Sequence, residues 1–260
     1  MKKWLVMTTL IVIGMCLTVN LSMANDWAKI RVATEGAYPP FNSVDKNGDL
    51  QGFDVDIAKA VCEAIGSECE LVIQDWDGII PGLLAKKYDC IVASMGVTEE
   101  RKKKVDFTNK YYIAPAKFYA KKGAGIQITK QGLQGKTVAV QRATVYEKFL
   151  LEKFEGVVKI KIYGTQDEAN LDLASGRADL GFAEPMALTY GFLNTPKGKN
   201  FEFIGPTYSD PKYFGPISIA LRLGNDDLRE LLNKGLKIIR DNGTYQKINA
   251  KYFPFDIYGD

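Results

Sequence analysis

The stretches LAKKYDCIVAS (residues 84–94) and LASGRADLGFAE (residues 173–184) repeat one pattern: a helix end, a basic residue, an aspartate and an apolar run. When the two aspartates are aligned, both runs end on a polar residue, Ser94 in one copy and Glu184 in the other. A short apolar run is typical of a strand buried in a parallel sheet, and ligands of open α/β sheets bind beyond the carboxyl ends of the strands. The repeat therefore predicts two similar α/β lobes that face each other across a cleft, with Ser94 and Glu184 at one site.

Predicted strands and helices alternate on both sides of these stretches. Residues 29–34 alternate like a strand, and the next apolar residues recur at a spacing of four, as on a buried helix face: Phe53, Ile57, Val61 and Ile65. Strands separated by helices favour a mainly parallel sheet, and the alternation restarts at residue 136 after an extended stretch. The expected fold class is α/β, with two Rossmann-like lobes.

Two extended stretches, at about residues 116–121 and 215–222, are predicted to carry the chain between the lobes as a two-strand hinge. The helices after the second stretch are expected to return to the first lobe. Lobe 1 is then discontinuous, with residues 25–117 and 216–260, and lobe 2 spans residues 118–215. Hinged lobes of this kind close on a ligand.

The first 24 residues have the features of a cleaved secretory signal peptide. Two lysines precede an apolar run over residues 4–19 and a small-residue triplet, Ser22-Met23-Ala24. The run is short for a retained membrane helix, which needs about 20 apolar residues. A lipid anchor on Cys16 is less well supported, because Met15 stands where a small residue would be needed. The sequence therefore predicts an exported protein without a lipid anchor.

The charge balance predicts no polyanionic partner. The full chain has a formal net charge of +3, and removal of the signal peptide takes away two lysines. The basic run at residues 101–104 lacks interleaved aromatic residues and has acids on both sides, so it favours a solvated helix face over a nucleic-acid site.

The chain contains no histidine, which excludes Ser-His and Cys-His catalysis and ordinary zinc sites. No cofactor or metal is expected. Cys62 and Cys69 are close in sequence and predict a disulfide in an oxidising compartment. Cys90 stands in a buried apolar run and is expected to pack as a small hydrophobic residue.

Six motifs, spread over the whole mature chain, resemble those of the periplasmic binding proteins of polar-amino-acid ABC transporters. They are TEGAYPPF (34–41), GFDVD (52–56), WDGIIP (76–81), SMGVTEER (94–101), VDF (105–107) and GTY (243–245). The specific resemblance is to the lysine/arginine/ornithine-binding group and its opine-binding relatives. It implies a type II periplasmic binding protein that closes on a small cationic amino acid and delivers it to an ABC permease in the inner membrane. It also implies a monomer located in the periplasm.

The resemblance implies a carboxylate-binding role for Arg101, whose planar fork suits the α-carboxylate of the ligand. The alternative is a surface arginine among three lysines. Thr144, near a helix start, matches the residue that helps to bind the same carboxylate. Ser94 and the backbone around Gly96 complete this part of the pocket from the first lobe.

The resemblance also implies acids for both cationic groups of the ligand. Glu184 aligns with the acid that accepts hydrogen bonds from the α-ammonium, and its alternative role is a helix N-terminal acid before Pro185. Glu35 stands where an acid meets the distal cation, which would otherwise be buried unpaired. Tyr38 and Trp76 align with aromatic residues that sandwich the ligand's side chain.

Three positions depart from the family pattern. Ala93 and Gly96 replace hydroxyl residues, and Tyr146 stands where an amide is common. The space at Gly96 motivates the hypothesis of an opine ligand, although a turn with a water molecule explains the glycine equally well, and arginine is the first expectation. A third reading, an enzyme similar to the cyclohexadienyl dehydratases, is opposed by Glu35 and Glu184, since that substrate is anionic.

Overall fold

The computed structural model describes residues 27–259, so the predicted signal peptide lies outside the described residues. The strands are β1 Lys29–Thr34, β2 Ala37–Tyr38, β3 Asn42–Val44, β4 Leu50–Gln51, β5 Glu68–Ile73, β6 Cys90–Ile91, β7 Val105–Ile113, β8 Ala116–Lys121, β9 Thr137–Gln141, β10 Lys159–Tyr163, β11 Leu180–Ala183, β12 Phe201–Tyr208 and β13 Pro216–Arg222.

The helices are α1 Phe53–Ala64, α2 Trp76–Leu84, α3 Glu99–Lys102, α4 Lys130–Leu133, α5 Val145–Phe154, α6 Gln166–Ala174, α7 Pro185–Leu188, α8 Asp226–Asp241 and α9 Thr244–Tyr252, with a π-helical turn at Thr189–Leu193. Within residues 27–259, none of the helices has the length and apolar character needed to cross a membrane.

Two five-stranded sheets share one plan. The first has the order β5-β1-β6-β13-β7 and the second the order β10-β9-β11-β8-β12. In each, three neighbouring strands are parallel, and the other two are antiparallel to the strands beside them. The prediction of two similar α/β lobes is confirmed.

The repeated aspartate has the same role in both sheets. The backbone N–H of Asp89 donates to the carbonyl of Arg31 at 2.8 Å, and the N–H of Arg31 donates back to Oδ2 of Asp89 at 3.0 Å. Asp179 makes the same pair of bonds with Thr137, at 2.9 Å and 2.7 Å. Each aspartate therefore fixes the start of a buried strand against its parallel neighbour, and the polar residue after that strand lies at the sheet's ligand-facing edge.

The C-terminal helices pack on the first sheet's helix α1. Helices α8 and α9 pack against α1, whose Phe53, Ile57 and Val61 are buried. Gly235 of α8 lies so close to α1 that an added Cβ would be 2.9 Å from Val61. The hydroxyl of Tyr245 donates to a carbonyl of β7 at 2.6 Å. The apolar residues at a spacing of four therefore form the inner face of this lobe.

The two stretches expected to cross between the lobes are strands of one sheet each. The whole of β8 pairs within the second sheet, and the whole of β13 within the first. Backbone hydrogen bonds on both sides hold each stretch in its own sheet. The chain instead changes sheets just before them, at residues 114–115 and 209–215.

The structure does not contain the predicted disulfide, because Cys62, Cys69 and Cys90 are free thiols. The thiol of Cys62 is hydrogen-bonded to Cys69, which lowers the pKa of Cys69. Their spacing therefore predicted neighbouring side chains, which the structure has, but not the covalent bond. Cys90 is fully buried, as expected for an unreactive thiol.

Candidate ligand-binding site

A small cavity between the two lobes brings together seven of the eight residues predicted to bind the ligand. These are Glu35, Tyr38, Trp76, Ser94, Gly96, Arg101 and Thr144.

Arg101 presents a cation to this cavity. Its backbone N–H donates to the hydroxyl of Thr98, which caps α3, at 3.1 Å. Its guanidinium donates to the carbonyl of Gly96 at 2.7 Å and to that of Ala143, in the other lobe, at 3.0 Å. Burial lowers the pKa of Arg101 to about 10, so the group is still charged at pH 7. None of the described carboxylates forms an ion pair with this half-buried guanidinium, and an unpaired, partly desolvated cation favours an anionic ligand group.

Glu35 presents a carboxyl group to the same cavity. It follows β1 and is buried, with 6% of its surface exposed. The amide of Gln141, at the end of β9 in the second lobe, donates to its Oε1 at 2.6 Å. Burial raises the pKa of Glu35 to about 7, and the nearby Asp75 and Asp77 act in the same direction. A cationic ligand group placed beside Glu35 would favour its ionised form.

Tyr38 and Trp76 form aromatic walls. Tyr38 stacks on Phe41, with ring centroids 5.9 Å apart. Trp76 is the first residue of α2. The Trp76 ring lies 5.3 Å from the Cζ atom of Arg101, within the range of a cation–π interaction. Trp76 therefore contacts the predicted carboxylate-binding residue directly.

The hydroxyl of Ser94 is held by a buried carboxylate that the sequence analysis did not single out. It donates to Oδ2 of Asp54 at 2.9 Å, and Asn42 donates to the same oxygen at 2.8 Å. Tyr111 donates to Oδ1 at 2.8 Å. Burial raises the pKa of Asp54 to about 6. The sequence signals were its place in the GFDVD motif and its position as an acid between the apolar residues Phe53 and Val55.

Gly96 and Thr144 lie where the lobes meet. A Cβ added to Gly96 would be 3.4 Å from Val145 and 3.8 Å from Nη1 of Arg101, which is ordinary contact. The hydroxyl of Thr144 accepts from the N–H of Glu147 at 3.1 Å and so caps α5. Gly96 therefore leaves about the space of a methyl group beside the arginine, and Thr144 presents the start of a helix.

Glu184 does not line this cavity. Its Oε2 accepts from the N–H of Ala187 at 2.5 Å, which caps α7. Burial raises the pKa of Glu184 to about 7. It lines a different cavity, together with Tyr112 and Met186. The structure thus shows the helix-capping role that was the alternative for Glu184, while contact with a ligand stays a prediction.

Gln141 was not predicted from the sequence, although the rule that a polar residue at the end of an apolar strand faces the ligand would have identified it. Gln141 is the polar residue that ends an apolar strand, as Ser94 and Glu184 are. Tyr146, recognised only as a departure from the family pattern, lines the cavity and stacks on Phe214 with ring centroids 5.9 Å apart. No sequence pattern pointed to Phe214.

Two ion pairs join the lobes outside the cavity. Arg142 contacts Asp77 at 2.5 Å, and Lys148 contacts Glu100 at 2.5 Å. Both pairs border a wide groove that continues outward from Trp76 and Arg101. The lobes are therefore in contact along the cleft.

The family model for bacterial extracellular solute-binding proteins, family 3, matches residues 30–255. The L-arginine-binding protein of Pseudomonas aeruginosa is 44% identical over 232 residues, which cover 88% of this chain and 90% of that protein. The histidine-binding periplasmic protein of Salmonella typhimurium is 41% identical over 233 residues, which cover 89% of this chain and 90% of that protein.

A solved structure, an ancestral arginine-binding protein bound to arginine, matches with a TM-score of 0.80 at 36% sequence identity. The match covers 87% of this chain and 98% of that one. The two lobes joined by two passages have the periplasmic binding protein type II fold. The chain belongs to the bacterial extracellular solute-binding proteins, family 3.

Proposed function

We propose that this chain is the periplasmic substrate-binding protein of an ABC importer and binds a cationic L-amino acid, L-arginine first and then lysine and ornithine. The observation that carries the proposal is that one cavity contains both Arg101, which none of the described carboxylates neutralises, and the buried carboxyl group of Glu35. Such a pair suits a ligand with a carboxylate at one end and a cation at the other. Residues 1–24 would direct export to the periplasm.

The two lobes would close on the ligand, and no covalent bond would be made or broken. Arg101, Ser94 and Glu35 belong to the first lobe, and Thr144 to the second. A ligand held by both gains its full set of contacts only when the lobes are together, so binding shifts a hinge equilibrium towards the closed form. The places where the chain changes sheets, residues 114–115 and 209–215, are close to the predicted lobe boundaries and would serve as the hinge. The closed monomer would then be presented to a permease in the inner membrane.

The first test is calorimetric titration of the mature protein with L-arginine. The protein is unfolded, freed of any co-purified ligand and refolded before the titration. Saturable binding of one arginine per chain is the expected result, and lysine, ornithine and histidine are the next titrants. Absence of binding heat at two temperatures would contradict the proposal. Formation of phenylalanine from arogenate would favour an enzyme, which this proposal excludes.

The second candidate ligand is an opine of the octopine or nopaline type, favoured by the missing side chain at Gly96. A Cβ there would be in ordinary contact with its neighbours, the nearest at 3.4 Å, so there is space for about one carbon of a substituent on the ligand's amino group. Competition decides between the two ligands. Octopine that fails to displace bound arginine at millimolar concentration excludes the opine.

A further inference from the structure

Gln141 makes a hydrogen bond across the cleft that the predicted site did not include. Its Nε2 donates to Oε1 of Glu35 at 2.6 Å and to the carbonyl of Gly164 at 3.1 Å. Both side chains are buried, with 3% of Gln141 and 6% of Glu35 exposed. The two residues come from different lobes and line the same cavity. A buried amide that touches the predicted cation-binding acid is placed to affect what that acid can bind.

The hydrogens of this amide determine which way it faces. A primary amide has two N–H donors and one acceptor oxygen. Both of the bonds from Gln141 end on oxygens that accept, Oε1 of Glu35 and the carbonyl of Gly164. A flipped amide would point its oxygen at both acceptors and lose both bonds. The orientation of the Gln141 amide is therefore fixed, with Nε2 as the donor to these two oxygens and Oε1 left as an acceptor.

Two acceptor oxygens are left over at this end of the cavity. Glu35 uses Oε1 for the bond from Gln141, and its Oε2 receives no hydrogen bond from the described residues. The Oε1 atom of Gln141 likewise has no donor in that part of the chain. The bond between the two side chains keeps the carboxylate and the amide that carry these oxygens in contact.

We propose that Gln141 is a specificity-determining residue that makes this end of the cavity select a guanidinium over an ammonium. The inference rests on the proposed function and deepens it. A guanidinium is planar and carries five donors in a rigid fork, so it can reach two neighbouring acceptors at once. An ammonium is a compact and strongly hydrated point charge whose three donors are not held in one plane, so it gains less from a fixed pair of acceptors.

Charge alone does not provide this selection. Asp75, Asp77 and Asp54 act on Glu35 through their charges, and each adds to the rise in its pKa that burial causes. This negative field attracts lysine and arginine alike, because both carry one positive charge. Discrimination between lysine and arginine needs a directional contact. The amide oxygen of Gln141 can provide such a contact, and it carries no charge. Gln141 therefore changes the preference between the two cations and not the preference for a cation.

The test is calorimetric titration of the wild-type protein and Gln141→Leu with L-arginine and L-lysine. Leucine is similar in size and has no acceptor. We expect at least a tenfold loss of arginine affinity and less than a threefold change for lysine. Gln141→Asn, which keeps a shorter amide, should lie between the two. Gln131→Leu, an exposed site on α4, is the matched control, and thermal unfolding checks that each variant is folded.

A double-mutant cycle with Glu35→Gln measures the coupling directly. The two substitutions should be non-additive for arginine and close to additive for lysine. An equal loss for both ligands in Gln141→Leu, or no loss for either, overturns the inference while the proposed function stands. A wild-type protein that binds no arginine overturns both.

Discussion

The guanidinium of Arg101 is held in place from both sides of the cleft. It lies over the ring of Trp76, 5.3 Å from the centroid, and donates to the carbonyls of Gly96 in one lobe and Ala143 in the other. The group is therefore oriented before a ligand arrives, and little side-chain freedom is lost on binding. Its contacts across the cleft also stabilise the closed arrangement.

Removal of this fork should abolish most of the binding. We expect Arg101→Ala to weaken arginine binding by about 2–5 kcal/mol, which is about 30-fold to several thousandfold. Arg101→Lys keeps the charge but not the two-pronged geometry, so it should recover only part of the loss. Calorimetric titration measures both, with the exposed Lys103→Ala as a neighbouring control. Wild-type affinity in Arg101→Ala would remove this residue from the site.

Binding of a cation should depend on pH through Glu35. The pKa of Glu35 is raised to about 7 by burial, and only the ionised form pairs with a cation. The arginine affinity should therefore rise as the pH goes up, by about tenfold from pH 6 to pH 8 for this one group. Titrations in buffers of different ionisation enthalpy should show proton release at pH 6. Glu35→Gln should bind weakly and with a flatter pH profile.

The same burial should make Glu35 costly for the unliganded fold. A carboxyl group whose folded pKa is raised stabilises the fold below its unfolded pKa, 4.5, and that stability is lost as the pH rises through about 7. Glu35→Gln should therefore raise the free energy of unfolding at pH 8, by up to about 3 kcal/mol, with little change at pH 4.5. Urea unfolding at the two pH values measures the difference. An equal effect at both would contradict the ionisation argument.

The repeated aspartates should differ in their effect on stability. The Asp89 side chain also binds Arg31 and Arg222 and is 9% exposed, whereas the Asp179 side chain is 40% exposed. We expect Asp89→Ala to cost about 2–3 kcal/mol and Asp179→Ala about 1 kcal/mol. Urea unfolding compares them, and ligand titration should show unchanged affinity in both. Equal costs would mean that the backbone bonds, which the two share, account for the whole effect.

The ion pairs between the lobes should have a small and salt-dependent effect. Both are partly exposed, and such pairs contribute about 0.2–1 kcal/mol. Asp77→Asn breaks the contact with Arg142 and should lower arginine affinity by less than about fivefold at low salt. In 1 M salt the difference from wild type should vanish, since screening removes it. An effect that persists at high salt would point to a change in the cavity itself.

Much of the fold could be predicted from the sequence, because the determining patterns are local. The strand at residues 29–34, the helix face that contains Phe53, and the matched strands after Asp89 and Asp179 all follow from periodicity and burial. The positions where the chain passes from one sheet to the other could not be predicted. A strand that runs between the lobes and a strand that lies within one sheet have the same alternation of apolar and polar residues. The strand pairing decides between them.

Residues of the candidate site could be predicted where a motif or the end of a strand determines the role of the residue. Ser94, Arg101 and Glu35 line the cavity as expected from motifs and strand ends. The bond between Glu35 and Gln141 was missed, because it joins residues 106 positions apart and depends on how the lobes face each other. Glu184 was predicted from its strand end; its Oε2 caps the helix that follows, and its contact with a ligand stays a prediction.

The two passages between the lobes run side by side. Ala116, the first residue of β8, is the pairing partner of Tyr208, the last residue of β12, and paired Cα atoms of antiparallel strands are roughly 4.5–5.5 Å apart. Residues 116–208 therefore begin and end at one point, as an inserted domain does. A short linker could therefore replace residues 116–208 in the first lobe. Residues 116–208 could likewise be produced as a separate chain. Each lobe could then be labelled, or exchanged with that of a relative, without a change in the chain path of the other lobe.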